Sequence, residues 1–195
     1  QKGSVCDFKN SRMPFTITNN IDSGGTETDA NKIYFQSRVG TLGLINQIYV
    51  RNDAGEQFSN FDGFNILAPL LQEREVDPNW YASNGDALMA CSTAYAGTVI
   101  NSKDGSLIKM IPFTLSGVSH PQFPMDSDNA IVIGFKLEDV KTCFVSTNAV
   151  PNENVIISNI QFHYDVYDLA PPTIASIDSK LVANQFIMSV PDWSH

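Results

Sequence analysis

The segment VIISNIQFHYDVYDL, residues 155–169, decides how the rest of the chain is read. Ile157, Ile160, Phe162, Tyr164 and Val166 alternate with polar partners over most of its length. A period near two sends successive side chains to opposite sides of a backbone, as in a sheet with one face in the core, whereas a helix groups its apolar residues at spacings of three and four. The segment therefore predicts a strand of a sandwich with one face in the core.

The same signature recurs along the chain. MPFTITN (13–19), KIYFQSRV (32–39), LINQIYVRN (44–52), SLIKMIPFTL (106–115), AIVIGFKL (130–137) and QFIMSV (185–190) are short apolar or alternating blocks divided by Gly, Pro, Asn and Asp. Two segments break the rhythm. FDGFNILAPLLQEREV (61–76) spaces Phe61, Phe64, Leu67, Leu70 and Leu71 by threes and fours, and predicts a short helix capped by Asp62 despite Pro69. PPTIASIDSKLVA (171–183) opens on prolines and spaces Ile174, Ile177 and Leu181 in the same way, predicting a second helix. The polar, Gly-rich stretch 19–31 reads as an exposed, mobile loop.

The expected fold is all-β: a jelly-roll β-sandwich with one or two short inserted helices. An immunoglobulin-like sandwich fits less well, because such domains run to about 100 residues and carry a Cys–Trp–Cys pattern that this chain lacks. Residues 1–183 are assigned to the jelly roll, and 184–195 either complete it or begin a second roll. The chain starts on Gln and stops at Asp192-Trp193-Ser194-His195, as expected of a processed product or of part of a longer protein.

With 195 residues, 43% hydrophobic and 17% charged, the chain has the composition of a globular domain with a real core. Its net charge of −9, with no cluster of Lys or Arg, argues against direct nucleic-acid binding, since a phosphate backbone is repelled. Cys6, Cys91 and Cys143 are odd in number and far apart, which favours buried or free thiols over a disulfide framework. No Asn-x-Ser/Thr sequon occurs, and no apolar run approaches the roughly 20 residues of a membrane span.

Candidate chemistry does not assemble from the residues. Ser116, Ser119 and His120 lie within five positions, yet no Gly-x-Ser-x-Gly elbow occurs and Pro121 biases His120 towards extended backbone. A loop histidine is the simpler reading. The three histidines, His120, His163 and His195, include no His-x-His pair for a cupin-type metal. Glu73, Glu75, Asp126 and Asp128 are candidate carboxylates for glycoside hydrolysis, and the acidic stretches 22–29 and 126–128 candidate calcium loops; solvated surface charge accounts for both. Gly24-Gly25 lacks the Lys and the preceding strand of a phosphate loop. Trp80, Tyr81 and Trp193 are candidates for a sugar-stacking platform, although aromatics in a sandwich more often fill cores and interfaces. No catalytic, cofactor-binding or metal-binding residue is assigned, and no cofactor is expected.

Three blocks, in order, carry a resemblance. GTLGLINQIYVRNDAGEQFSNFDGFNILAPLL (40–71) has a glycine, an Ile/Val strand ending in Arg51-Asn52, a Gly turn, then a helix opening on Phe64-Asn65 and closing in leucines. IKMIPFTLSGVSHPQFPM (108–125) is a strand, a Leu-x-x-Gly step and a Pro-braced loop, and VIISNIQFHYDVYDLAPPTIASI (155–177) has an Ile-Ser-Asn strand ending in Tyr-Asp before a helix. Together they resemble the first jelly roll of the double jelly-roll major capsid proteins, the adenovirus-hexon-like class of virophages, Polinton-like elements and related DNA viruses. Members of that family are usually more than twice this length and carry two rolls. The resemblance implies a structural viral protein in the virion, assembled in the host cell from copies of itself, as trimeric capsomers, and other capsid proteins into an icosahedral shell. The alternative from another class is a lectin-like or receptor-binding jelly-roll module.

Overall fold

The computed structural model describes residues 4–19, 33–36, 39–52, 54–55, 57–75, 79, 83, 106–112, 123–124, 131–145 and 155–182. Its spine is a long strand, β1 (Ser4–Asn19), in which Met13, Phe15 and Ile17 are buried and Pro14, Thr16 and Thr18 are not, the alternation expected of a sheet with one face inward. After β2 (Tyr34–Phe35) and a 3-10 helix (Gly40–Leu44) come β3 (Ile45–Asn52), β4 (Gln57–Asp62) and the helix α1 (Phe64–Glu75). Further along lie β5 (Ser106–Pro112), β6 (Phe123–Pro124), β7 (Ile131–Leu137), the one-turn helix α2 (Val140–Cys143) and β8 (Phe144–Val145). The described chain closes with β9 (Val155–Ser158), β10 (His163–Asp168) and the helix α3 (Pro171–Val182).

All described strand pairs are antiparallel. One edge of β1 takes β10 and then β9; the other takes β6 and then β5. A second sheet runs β4-β3-β7, and β2 pairs with β8. Met13, Phe15, Ile17 and Ile111 of the first sheet meet Ile45, Ile48 and Phe61 of the second, with Phe64 and Ala68 of α1, in one apolar cluster. At about 25 cal/mol per Å² of apolar area removed from water, each such side chain contributes roughly 1.5–3 kcal/mol. The architecture is all-β with few helices, as the alternation predicts.

Several boundaries differ from the expectation. Of the predicted strand 32–39, the described residues form a bridge at Ile33 and the strand β2, and then the chain turns: Val39 and Gly40 N–H both donate to Gln36 O, at 3.3 and 3.0 Å, and Gly40 takes φ +56°. The predicted helix at 61–76 starts at Phe64. Asp62 lies in β4 opposite Gln47 and is not the cap; Gly63 is, with φ +68° and a carbonyl that accepts from Ile66 and Leu67 N–H at 3.0 and 3.1 Å. Leu70, expected inward, is 59% exposed, and the inward stripe is Phe64, Ala68 and Gln72, one turn apart.

The deciding segment 155–169 is two strands, not one. Asn159 takes the left-handed conformation at φ +50°, and Gln161 N–H donates to Pro14 O at 3.0 Å. This kink resets the alternation. Ile157 and Phe162 pack against the core, whereas Ile160, Tyr164 and Val166 are 45, 40 and 48% exposed. The register of β1 with β10 shifts between Asp7 and Arg12, so β10 runs beside Val5 and Cys6, which lie outside the shared cluster. The 19–31 loop beyond Asn19 and the strand expected at 185–190 lie outside the described residues, as does the 184–195 segment.

Candidate functional site

A polar arrangement among the described residues joins three elements at Glu138. β3 supplies Asn46, which sits in a bulge: the register with β7 shifts between Ile45 and Gln47, so Ile45 and Ile48 both reach the core although they are three apart. That extra residue aims Asn46 at the end of β7, where its Nδ2 donates to Glu138 Oε2 at 2.6 Å. Asn65, in the first turn of α1, donates to the same oxygen at 2.9 Å. The backbone N–H of Asp139, which opens α2, donates to Glu138 Oε1 at 3.0 Å.

Local sequence prepares this junction. Pro69 has no N–H to offer the carbonyl four residues earlier, which is that of Asn65, so the first turn of α1 lacks one of its own bonds and is fastened from outside by the Asn65 side chain. The neighbouring Phe64 is fully buried and meets the Phe61 ring edge-on at 5.5 Å. Glu138 N–H in turn donates to Leu44 O at 2.9 Å, tying β7 to the end of the 3-10 helix.

The electrostatics follow from the donors. The Asp139 N–H, the Asn46 amide, the Asn65 amide and the nearby Lys136 hold the Glu138 carboxyl below the usual glutamate range, against a smaller opposing effect of burial. Cys143, at the end of α2, donates its thiol to Gly43 O at 3.1 Å; burial first, then the charges of Glu138 and Asp139, push it up to about 12. Glu138 is thus ionised and Cys143 protonated at neutral pH. Burial also raises the Cys6 thiol.

Two cavities flank the junction. One of about 430 Å³ opens beside α1 and is lined by Val39, Asn65, Ile66, Pro69, Leu70 and Glu73 among others. The other, about 290 Å³, lies between Leu44, Leu137, Glu138, Cys143, Phe144 and Ile157. Both have mainly apolar walls, and no histidine or serine is among their described lining residues. The Asn65 Oδ1 and Gln72 Oε1 atoms are buried without a described partner.

Of the residues singled out in the sequence, Ser116, Ser119, His120, Cys91, Trp80, Tyr81, Trp193, His195, Asp126, Asp128, Gly24-Gly25 and the acidic stretch 22–29 lie outside the described residues, as does the side chain of Glu75. Glu73 is exposed at the lip of the larger cavity. His163 is exposed on β10, its Nε2 3.0 Å from Gln161 Oε1. Cys6 and Cys143 are buried free thiols. Among the described residues no three His, Cys, Asp or Glu side chains converge as a metal site, and no helix is long and apolar enough to cross a membrane. The Glu138 junction was hidden in the sequence because its members lie up to 92 positions apart; the Phe64-Asn65 pair was the single visible sign. No family model, no curated protein and no solved structure matches this chain.

Proposed function

We propose that this chain is a shell subunit: a jelly-roll β-sandwich segment of a double jelly-roll major capsid protein that self-assembles by lateral protein contacts into an icosahedral virion shell. One observation carries most of the reading. Large apolar side chains stand on outward faces, with Ile108 76% exposed and Ile156 43% exposed on the outer side of the β1 sheet, and Ile66 and Leu70 68 and 59% exposed along α1. Exposed apolar side chains of this size suit surfaces that other protein covers. The all-β antiparallel build suits rigid walls that pack laterally, and a net charge of −9 suits subunits held by one another rather than by the genome.

The Phe64-Asn65 pair, one of the elements of the resemblance, serves as the fastening of α1 to the sheet, which supports its being a fold-defining feature. The family implies trimeric capsomers and no catalytic residues. Size-exclusion chromatography with light scattering on the full-length protein, followed by electron microscopy, tests the proposal. Trimers or larger closed particles are expected, with self-interfaces on the order of 2,000 Å² or more. A strictly monomeric protein that binds glycans overturns it.

A further inference from the structure

We propose that the smaller cavity, beside Glu138, is a binding site for a small amphipathic amine: an apolar body seated among Leu44, Leu137, Phe144, Val155 and Ile157, with its ammonium group donating to the Glu138 carboxylate. A volume of about 290 Å³ lies at the lower end for ligand pockets, which sets the body at on the order of ten non-hydrogen atoms. This site goes beyond the shell reading and does not depend on it.

The walls fix the apolar half of the ligand. Leu44 and Phe144 are buried, and the Phe144 ring is held against that of Phe35 with centroids 4.7 Å apart. Val155 and Ile157 stand two apart on β9, so both reach the same side of that strand, and both line the cavity. Leu137, at the end of β7, lines it too yet is 46% exposed, which places it where the cavity opens to solvent.

Charge fixes the other half. A carboxylate offers about four lone-pair sites on its two oxygens. Asn46 and Asn65 donate to Oε2 and the Asp139 N–H donates to Oε1, so Oε1 keeps a position for one more donor. The same donors hold the group still and ionised. Among the described residues no cation forms an ion pair with it: Lys136 is exposed, is not among the described residues of the cavity wall, and acts only through its charge. The negative field extends along the wall, since the charges of Glu138 and Asp139 both help to push up the Cys143 thiol. A fixed, ionised acceptor on an apolar wall selects a cation with an apolar body over a neutral or anionic analogue. The larger cavity has no equivalent, because its carboxylate, Glu73, is exposed and screened by solvent.

The test titrates the methyl-labelled full chain, followed by NMR, with three probes that share one body and differ in the head group: 4-phenylbutylamine, 4-phenylbutanol and 4-phenylbutyrate. The amine is expected to shift the methyl signals of Leu44, Leu137, Val155 and Ile157 with a Kd of about 1 mM or below, the alcohol to bind about tenfold more weakly, and the carboxylate weakest of all. Glu138→Gln should bring the amine down to the level of the alcohol. Asn46→Ala, which loosens the junction but keeps the carboxylate, should retain the preference for the amine, and Val155→Phe, which fills the cavity, should abolish binding of both. An amine that binds wild type no more tightly than the alcohol, shifts confined to methyls away from the cavity, or a preference that survives Glu138→Gln each overturns the proposal. The comparison of head groups on wild type decides it even where a variant fails to fold, and self-assembly of the chain is unaffected by either outcome.

Discussion

Replacing Glu138 by Gln probes the junction with almost no change in size. In the native arrangement Oε2 accepts from Asn46 and Asn65 at 2.6 and 2.9 Å, and Oε1 accepts from Asp139 N–H at 3.0 Å. A glutamine has one oxygen and one NH2, so one of those positions sets donor against donor. Hydrogen bonds to a charged group contribute more than neutral ones, but Glu138 is only partly buried and solvent screens the loss; the net cost is about 1–2 kcal/mol. For a chain of this size that lowers the melting temperature by roughly 3–6 °C. The pH dependence has a definite sign. Because the carboxyl is held below its usual value, its extra stability is present above the unfolded-state value and is lost as pH falls through the folded one. Thermal melts of wild type and Glu138→Gln, measured from neutral pH down to about 3, should therefore differ most at neutral pH, with the gap narrowing only once the pH is taken below the ordinary glutamate range. Equal melting temperatures at pH 7, or a gap that persists unchanged into acid, refute the account of Glu138 as an ionised fastener.

Other expectations can be checked in the same stability assays. Phe64→Ala removes a fully buried ring and should cost about 3–5 kcal/mol in denaturant unfolding, with an unchanged m-value if the rest of the fold holds. Gly63→Ala should cost about 1–2 kcal/mol: an added Cβ would meet nothing within 4 Å, so the penalty is that of an L-residue at φ +68° alone, and a neutral result would show that the cap can rearrange. Cys143, with its thiol pushed up to about 12, should resist alkylation at pH 8 in the native protein and react on unfolding; native labelling at the pace of a free thiol, located by mass spectrometry, contradicts its burial. Gln72→Leu should be neutral or stabilising by up to about 1 kcal/mol, because it removes a buried amide oxygen that has no described partner.

Much of the fold was legible because short-range periodicity is a property of the chain itself. The strand at 44–52 and the one at 130–137 appear within a residue of their predicted limits, and α3 spans Pro171–Val182 against a prediction of 171–183. Alternation also identified β1 from Met13 to Asn19, though it missed the first half of that strand, where the register shift between Asp7 and Arg12 breaks the period. β4 escaped notice because its residues run directly into α1, and the helical spacing that starts at Phe61 holds across the boundary.

Sequence by itself determined the class: short strands, a helix within 61–76 and another after the prolines at 171 and 172, and a net charge of −9. Those follow from local sterics, side-chain period and summed charge, none of which needs a partner distant in the chain. Tertiary structure decided what lies opposite what. It brought Asn46 and Asn65 to the Glu138 carboxylate, and it turned Ile160, Tyr164 and Val166 outward while Phe162 packs against the core. Period tells which residues share a face; only the packing of one sheet against another tells whether that face is inside, and here the left-handed Asn159 and the shifted register of β1 put β10 outside the core cluster of the described residues.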